Sequence, residues 1–241
     1  MSTHQYGARR GVWNIMDVLD RHGVKATFFV CGTTAERYPE TVKEMLARGH
    51  DIAGFTYNYE KIWTLSTEEE AEMIKKSISA IANVTNKHPM GWRCPDFQMS
   101  KNTLPLLVEH GLMWDSSLLN DDLPYTLQLG AHKITEVPPS MSAYDKHYLY
   151  LPNPRGLPSE LMDNWTDEFD VLYQESSLQP KLMTICCHPF LVGRPAQLEK
   201  LEMFIKKALN TPGVWFATCS EIAFWWDEQD DTPGPSEKST M

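Results

Sequence analysis

The side chains that could take part in catalysis lie at the ends of short apolar segments that we predict to be strands. His188, Arg93 and Asp115 each end or directly follow such a segment. A histidine can donate a proton to a leaving nitrogen atom. An arginine that faces an aspartate keeps both charges satisfied in a dry pocket and orients the groups around it. Together these residue types could carry acid–base chemistry.

Cysteines offer a second possibility. Cys31 and Cys94 follow predicted strands, and Cys186 and Cys187 directly precede His188. Alternation along a strand would point Cys186 and His188 to the same side, and a Cys–His pair can supply a nucleophile that needs no metal. Buried cysteines are more often inert, small apolar side chains. Both interpretations stay open at this point.

Alternating helical and strand-like segments must position these residues. Connections are short and several helices stop at a glycine, which predicts a parallel sheet covered by helices. Chemistry in such folds lies beyond the carboxyl ends of the strands, which here are Cys31, Phe55, Arg93, Asp115 and His188. The predicted strands cover residues 25–30, 51–55, 90–93, 112–116, 134–137, 182–187 and 214–218. The predicted helices cover 12–19, 38–48, 102–110, 160–175, 197–209 and 219–226, with another that starts after a capping box formed by Ser66 and Glu69.

Length, charge and cysteine content restrict the domain number and the partners that this protein can have. The chain has 241 residues, 42% of them hydrophobic, and a formal net charge of -10. We expect one domain over residues 1–226 and a disordered acidic, proline-containing tail over 227–241. The negative charge disfavours nucleic acid and membrane partners, and no run of about 18 apolar residues predicts a membrane span. Five irregularly spaced cysteines and a polar start without a signal-peptide core predict a cytoplasmic protein with reduced thiols.

Several motifs resemble the polysaccharide deacetylases of the NodB type, whose fold is a deformed parallel (β/α) barrel. The resemblance covers residues 6–226 and is carried by residues 6–13, 23–30, 49–54, 91–95, 114–117 and 188–195. The last of these, together with residues 213–218, is most similar to the branch that acts on small amides, ureides and cyclic imides, which includes allantoinases and cyclic-imide hydrolases. The resemblance therefore implies a hydrolase acting on a carbon–nitrogen bond.

The metal-binding motifs of that family are not matched. Members open with a strand that ends in Asp-Asp, and this chain is expected to begin after that strand. The family's His-x-x-x-His motif corresponds to residues 55–59, where Phe55 and Tyr59 stand in place of the two histidines. Phenylalanine cannot ligate a metal, and a neutral tyrosine is a poor zinc ligand. We therefore predict a protein without a metal or another cofactor.

The resemblance implies roles for three retained residues, which we predict to be catalytic. His188 matches the general acid of the last motif, Arg93 the arginine of the third, and Asp115 the acidic residue that pairs with that arginine. An Arg93–Asp115 ion pair that only stabilises the barrel is the alternative, and both roles can coexist. His50 precedes its strand and is predicted to be structural, at the opposite end of the barrel.

The expected ligand is a small, partly apolar molecule. Residues 120–125 follow a strand and are predicted to form a loop over the pocket, and aromatic side chains add apolar surface there. The candidate substrate-binding residues are Cys31, Phe55, Tyr59, Trp92, Cys94, Asp122 and Tyr125.

Three functions remain possible on the sequence. The first is a metal-independent enzyme that cleaves a carbon–nitrogen bond with His188 and Arg93. The second is an isomerase, cyclase or lyase that uses the same pocket, and the third is a non-catalytic binding subunit. A barrel that lacks one strand would expose a hydrogen-bonding edge that a second copy could cover, so we also predict a homo-oligomer.

Overall fold

A computed structural model describes residues 2–150, 157 and 159–230 of the chain, and one mixed sheet organises them. Its strands are β1 (Thr27–Val30), β2 (Asp51–Gly54), β3 (Gly91–Trp92), β4 (Trp114–Asp115), β5 (Tyr125–Leu129) and β6 (His132–Glu136). They lie in the order β1-β2-β3-β4-β6-β5. Strands β1, β2, β3, β4 and β6 are parallel, and only β5 runs antiparallel to its neighbour. The parallel strands therefore end at one common edge of the sheet.

Helices follow the strands in the alternation that the sequence predicts. They are α1 (Ser2–Tyr6), α2 (Val12–Arg21), α3 (Gly32–Arg37), α4 (Pro39–Ala47), α5 (Thr67–Thr85), α6 (Thr103–Glu109), α7 (Lys146–Leu149), α8 (Glu160–Glu175), α9 (Pro195–Leu209) and α10 (Cys219–Asp230). The predicted capping box at the start of α5 is confirmed, because Ser66 Oγ accepts from the Glu69 amide and the Glu69 carboxylate accepts from the Ser66 amide. None of the described helices is both long and apolar enough to cross a membrane.

Helices α2, α8 and α9 share an apolar cluster that also covers Phe28 of β1. Trp165 of α8 is fully buried there, and its indole Nε1 donates to the carbonyl of Ala143 at 3.2 Å. This bond ties α8 to the segment that leads to Asp145. A second cluster joins α5 and α6 to Trp92 of β3 and Ile134 of β6. The core thus holds the strand ends and the segment before α7 in place.

The turn after His188 packs against the start of the chain through glycines. A Cβ atom on Gly11 would lie 1.9 Å from the carbonyl oxygen of Pro189, so only glycine fits there. Asn14 Nδ2 donates to the carbonyl of Gly193 at 2.9 Å, and the Tyr6 hydroxyl donates to the same oxygen at 3.3 Å. The amino-terminal helices therefore fix the backbone that carries His188.

Two predicted strands are absent from the described sheet. Over residues 182–187 the backbone forms only one parallel bridge, Tyr144 with Cys186, and the Thr184 amide donates to the Ser140 hydroxyl instead of a neighbouring strand. Pro138 and Pro139 follow β6, and proline interrupts a ladder because it has no N–H. Over residues 214–218 the Thr218 amide donates to the Glu221 side chain as a helix cap. Both segments are apolar, but their backbone groups bond to side chains and to scattered backbone groups instead of to a neighbouring strand.

Two other expectations also need correction. The predicted loop at 120–125 ends in an antiparallel hairpin, because Tyr125 begins β5 and pairs with Glu136. The predicted disordered tail is helical at its beginning, since α10 continues to Asp230. The remainder of that tail lies outside the described residues. His50 lies before β2 as predicted, 3% exposed, away from the carboxyl ends of the strands.

Candidate active site

His188 forms a close pair with Asp145, a residue that the sequence analysis did not identify. Asp145 is fully buried, and its Oδ1 lies 2.7 Å from His188 Nδ1. Its Oδ2 accepts the backbone N–H of His188 at 2.6 Å. A carboxylate that accepts from Nδ1 keeps the proton on that nitrogen and leaves Nε2 free to exchange one. The pair is therefore suited to acid–base catalysis at Nε2.

The local backbone explains how Asp145 reaches His188. The bridge between Tyr144 and Cys186 aligns the two segments, and the Asp145 amide donates to the Cys186 carbonyl at 3.2 Å. Residues 182–187 have a strand-like apolar pattern, but the residues around Asp145 have none that would indicate this pairing from the sequence.

Arg93 does not form the predicted ion pair with Asp115. Its Nε donates to the Ser116 carbonyl at 2.8 Å and its Nη2 to the Ser116 hydroxyl at 2.5 Å. Its Nη1 lies 3.2 Å from Cys186 Sγ, and the guanidinium covers the Phe29 ring at 4.0 Å. The donors of Arg93 thus connect the residue that follows β4 to the segment before His188.

Asp115 instead belongs to a buried pair of carboxyl groups with Glu136. Both side chains are fully buried. Asp115 accepts the amide and the hydroxyl of Ser117 at 2.9 and 3.0 Å, and Glu136 Oε1 accepts the Leu118 amide at 2.9 Å. Glu136 Oε2 is buried with no hydrogen-bond partner among the described residues. Burial and the neighbouring Asp115 raise the pKa of Glu136 to about 10, and burial raises the pKa of Asp115 to about 6. Glu136 therefore remains protonated at neutral pH.

We predict a stability change with pH that depends on Glu136. The unfolded chain releases this proton near pH 4.5, whereas the folded chain, in which Glu136 is buried beside Asp115, releases it at higher pH. The free energy of unfolding therefore falls as pH rises above about 4.5, by at most about 1.4 kcal/mol per pH unit, until the folded chain also releases the proton. The Glu136→Gln variant should lose that part of the slope. Urea unfolding at several pH values above neutral measures it.

The exposed Glu72→Gln variant on α5 is the matched control and should keep the slope of the unchanged protein. Equal slopes in the Glu136→Gln variant and the unchanged protein would show that Glu136 ionises normally in the folded state.

The cysteines do not have the properties of a nucleophile. Burial raises the pKa of Cys31 to about 12 and raises the pKa of Cys94 well above its ordinary range. Burial also raises the pKa of Cys186, although Arg93 opposes this shift. Since the thiolate is the reactive form, these thiols are inert near neutral pH. The structure thus favours the interpretation of the cysteines as small apolar side chains.

A polar cluster follows β2 and β3 and includes two residues that the sequence analysis missed. The Tyr59 hydroxyl donates to Asp96 Oδ1 at 3.2 Å, and Lys146 Nζ donates to the same oxygen at 2.6 Å. Tyr59 and Asp96 have φ angles of 61° and 49°, and Phe97 has 59°. Such backbone strain in non-glycine residues is concentrated at functional sites. Phe55 lies next to this cluster, with its ring centroid 5.6 Å from that of Tyr59.

Three of the predicted substrate-binding residues have other surroundings. Trp92 is fully buried in the core cluster with α5 and α6. Tyr125 donates to the Asn120 side chain at 2.6 Å, and Asp122 lies 3.8 Å from Lys181. Asp122 and Tyr125 therefore belong to the edge hairpin and the loop before it.

The site does not fit the metal ion that the family resemblance implies. Phe55 and Tyr59 occupy the positions of the two histidines, and Tyr59 already bonds to Asp96 and Lys146. Within the part of the chain that the structure describes, no group of three or more His, Cys, Asp or Glu side chains could hold a metal. The donor set of these residues is thus unsuited to zinc.

Comparison with known proteins agrees with the fold and the motifs. The sequence profile of the polysaccharide deacetylase family matches residues 1–114. A polysaccharide deacetylase-type protein of Schizosaccharomyces pombe is 30% identical over 93% of this chain and 75% of its own length. The chain therefore belongs to the polysaccharide deacetylase family, a family of deacetylase-type hydrolases, and the predicted NodB-type α/β fold is confirmed.

Two solved structures resemble this chain over nearly its whole length. A polysaccharide deacetylase-type protein of Mycobacterium smegmatis has a TM-score of 0.89 at 30% identity, covering 100% of this chain and 85% of its own. The PuuE allantoinase has a TM-score of 0.88 at 28% identity, covering 97% of this chain and 77% of its own. The second similarity agrees with the small-amide branch that the motifs indicate.

Proposed function

We propose that this protein is a metal-independent hydrolase that cleaves a carbon–nitrogen bond in a small amide, ureide or cyclic imide. The observation that carries the proposal is the His188–Asp145 pair, in a chain where Phe55 and Tyr59 replace the two metal-ligand histidines of the family motif. The similarity to an allantoinase over 97% of the chain supports a small ring substrate rather than a polysaccharide.

In this mechanism His188 moves the proton. Its Nε2 accepts a proton from a water molecule as the water oxygen forms a bond to the substrate carbonyl carbon. The same proton then passes to the leaving nitrogen as the carbon–nitrogen bond breaks, which yields an amine or amide and a carboxylic acid. Asp145 keeps the Nδ1 proton in place and stabilises the imidazolium that forms between these steps. Arg93 holds Ser116 and Cys186, and through Cys186 the segment that carries His188.

A non-catalytic binding protein is the second candidate, and the replaced metal-ligand positions favour it. The buried carboxylate under His188 argues for the enzyme. Burial of Asp145 costs free energy unless its charge is satisfied. A histidine that only packed in the core would not need a buried carboxylate beside it.

Turnover and metal content together test the proposal. Elemental mass spectrometry of the purified protein should show zinc well below one atom per chain. A panel of allantoin, hydantoin, succinimide and an N-acetylglucosamine oligomer should then be assayed with and without a chelator. We expect hydrolysis of a cyclic ureide or imide that the chelator does not reduce. Activity that requires added zinc, or turnover of the oligomer alone, would contradict the proposal. No turnover of any compound would favour the binding protein.

A further inference from the structure

Lys146 carries a positive charge that is held in a fixed place. Its Nζ lies 2.6 Å from Asp96 Oδ1 and 3.1 Å from the Tyr59 hydroxyl, and that hydroxyl lies 3.2 Å from the same Asp96 oxygen. Each of the three polar atoms thus lies within hydrogen-bond distance of the other two. The Lys146 side chain is 18% exposed, whereas that of Asp96 is 45% exposed. Water therefore screens the carboxylate more than the ammonium.

The Lys146 ammonium and the His188 imidazole share an aromatic neighbour, Tyr144. Tyr144, Asp145 and Lys146 are consecutive in the chain. The centroid of the Tyr144 ring is 5.5 Å from that of His188 and 5.9 Å from Lys146 Nζ. Both groups therefore contact the same aromatic side chain at the carboxyl ends of the strands.

Lys146 also lies beside a position that the family uses for a metal ligand. Tyr59 stands where the second histidine of the family motif is expected, and Lys146 donates to its hydroxyl. Phe55, at the first histidine position, packs against Tyr59 with ring centroids 5.6 Å apart. A positive charge is thus present beside the positions of the two motif histidines, although the residues at these positions do not fit a metal.

We propose that the Lys146 ammonium binds the carbonyl oxygen of the substrate, and in the product the carboxylate formed from it. An ammonium group has three N–H donors. Asp96 and Tyr59 accept two of them, and a ligand oxygen would compete with the Tyr144 hydroxyl for the third. The proposal rests on the proposed hydrolysis and defines its substrate class further. The bound group is an acyl oxygen that becomes anionic, as when a cyclic ureide opens to a carboxylate.

The strained backbone is consistent with this role. Tyr59 and Asp96 keep positive φ angles, which are energetically costly for non-glycine residues, on the two loops that approach Lys146. The hydrogen bonds of Tyr59 and Asp96 with Lys146 help to offset that cost. The loops are thereby fixed in the conformation that holds the ammonium.

Binding of a product-like anion tests Lys146 separately from turnover. The probe is hydantoic acid, the ring-opened carboxylate of hydantoin, titrated calorimetrically into the full chain. We expect saturable binding that the Lys146→Met variant weakens about 10- to 100-fold, since a charge-assisted hydrogen bond is lost. The Lys146→Arg variant should bind within a few-fold of the unchanged protein because it keeps the charge. The control Lys43→Met removes an exposed lysine of α4 and should bind as the unchanged protein does.

Equal affinity of the Lys146→Met variant and the unchanged protein would overturn the proposal, and so would the absence of saturable binding by the unchanged protein. Thermal unfolding of each variant shows that it is folded before titration, and recovery in Lys146→Arg excludes a general packing defect. A result that contradicts the proposed hydrolysis is distinguishable from one that contradicts anion binding by Lys146. If hydantoic acid binds in a Lys146-dependent manner but no panel compound is turned over, the anion subsite is supported and the hydrolase is not.

Discussion

The Asp145→Asn variant is expected to lose about 10³- to 10⁴-fold in kcat on the best substrate of the panel. Asp145 is fully buried and accepts both Nδ1–H and the backbone N–H of His188. An asparagine side chain can donate to Nδ1 through its amide, which would place the imidazole proton on Nε2 instead. His188 could then no longer accept a proton from water at that nitrogen. The loss should appear in kcat more than in KM.

Two measurements check this expectation. Steady-state hydrolysis gives kcat, and the ¹⁵N chemical shifts of the His188 ring report which nitrogen carries the proton. The control is Asp163→Asn, which changes an exposed carboxylate on α8. Undiminished turnover in Asp145→Asn would show that the pair has only a structural role and would remove the main support for the proposed mechanism.

The Gly11→Ala variant is expected to lower the free energy of unfolding by about 3 kcal/mol, the upper part of the range for overpacking. The added Cβ would lie 1.9 Å from the carbonyl oxygen of Pro189, and this neighbour is backbone that cannot rotate away. The segment that follows His188 must shift to make room. Turnover should therefore also fall, because a displacement of about 1 Å at a catalytic group can cost about 10²-fold in rate.

Urea unfolding and steady-state turnover measure the two effects of Gly11→Ala. The Arg10→Ala variant, which changes the exposed neighbouring residue, is the control and should alter both by little. If Gly11→Ala were as stable and active as the control, the contact between the first helices and the Pro189–Gly193 turn would be looser than the structure shows.

Motif matches and local patterns reached some features of the candidate site. They selected His188, whose imidazole pairs with the buried Asp145, and the replacement of both metal-ligand histidines can be read directly from residues 55–59. The prediction of an ion pair between Arg93 and Asp115 was wrong. The side chain of Arg93 is directed to Ser116 and Cys186, and Asp115 contacts Ser117. Two adjacent strands that end together bring Arg93 and Asp115 near each other, but the strand pattern does not indicate which of their atoms form hydrogen bonds.

The sequence by itself determined the alternation of strands and helices, the capping box of α5 and the family. These follow from apolar periodicity, turn residues and motifs, all of which are local. Only the tertiary structure decided the pairing of His188 with Asp145, 43 residues apart, and the cluster of Tyr59, Asp96 and Lys146 from three different segments. Likewise, the apolar residues 182–187 look like a strand, but a strand also needs a partner backbone. Burial is encoded in each segment, whereas hydrogen-bond partners are fixed only when distant segments meet.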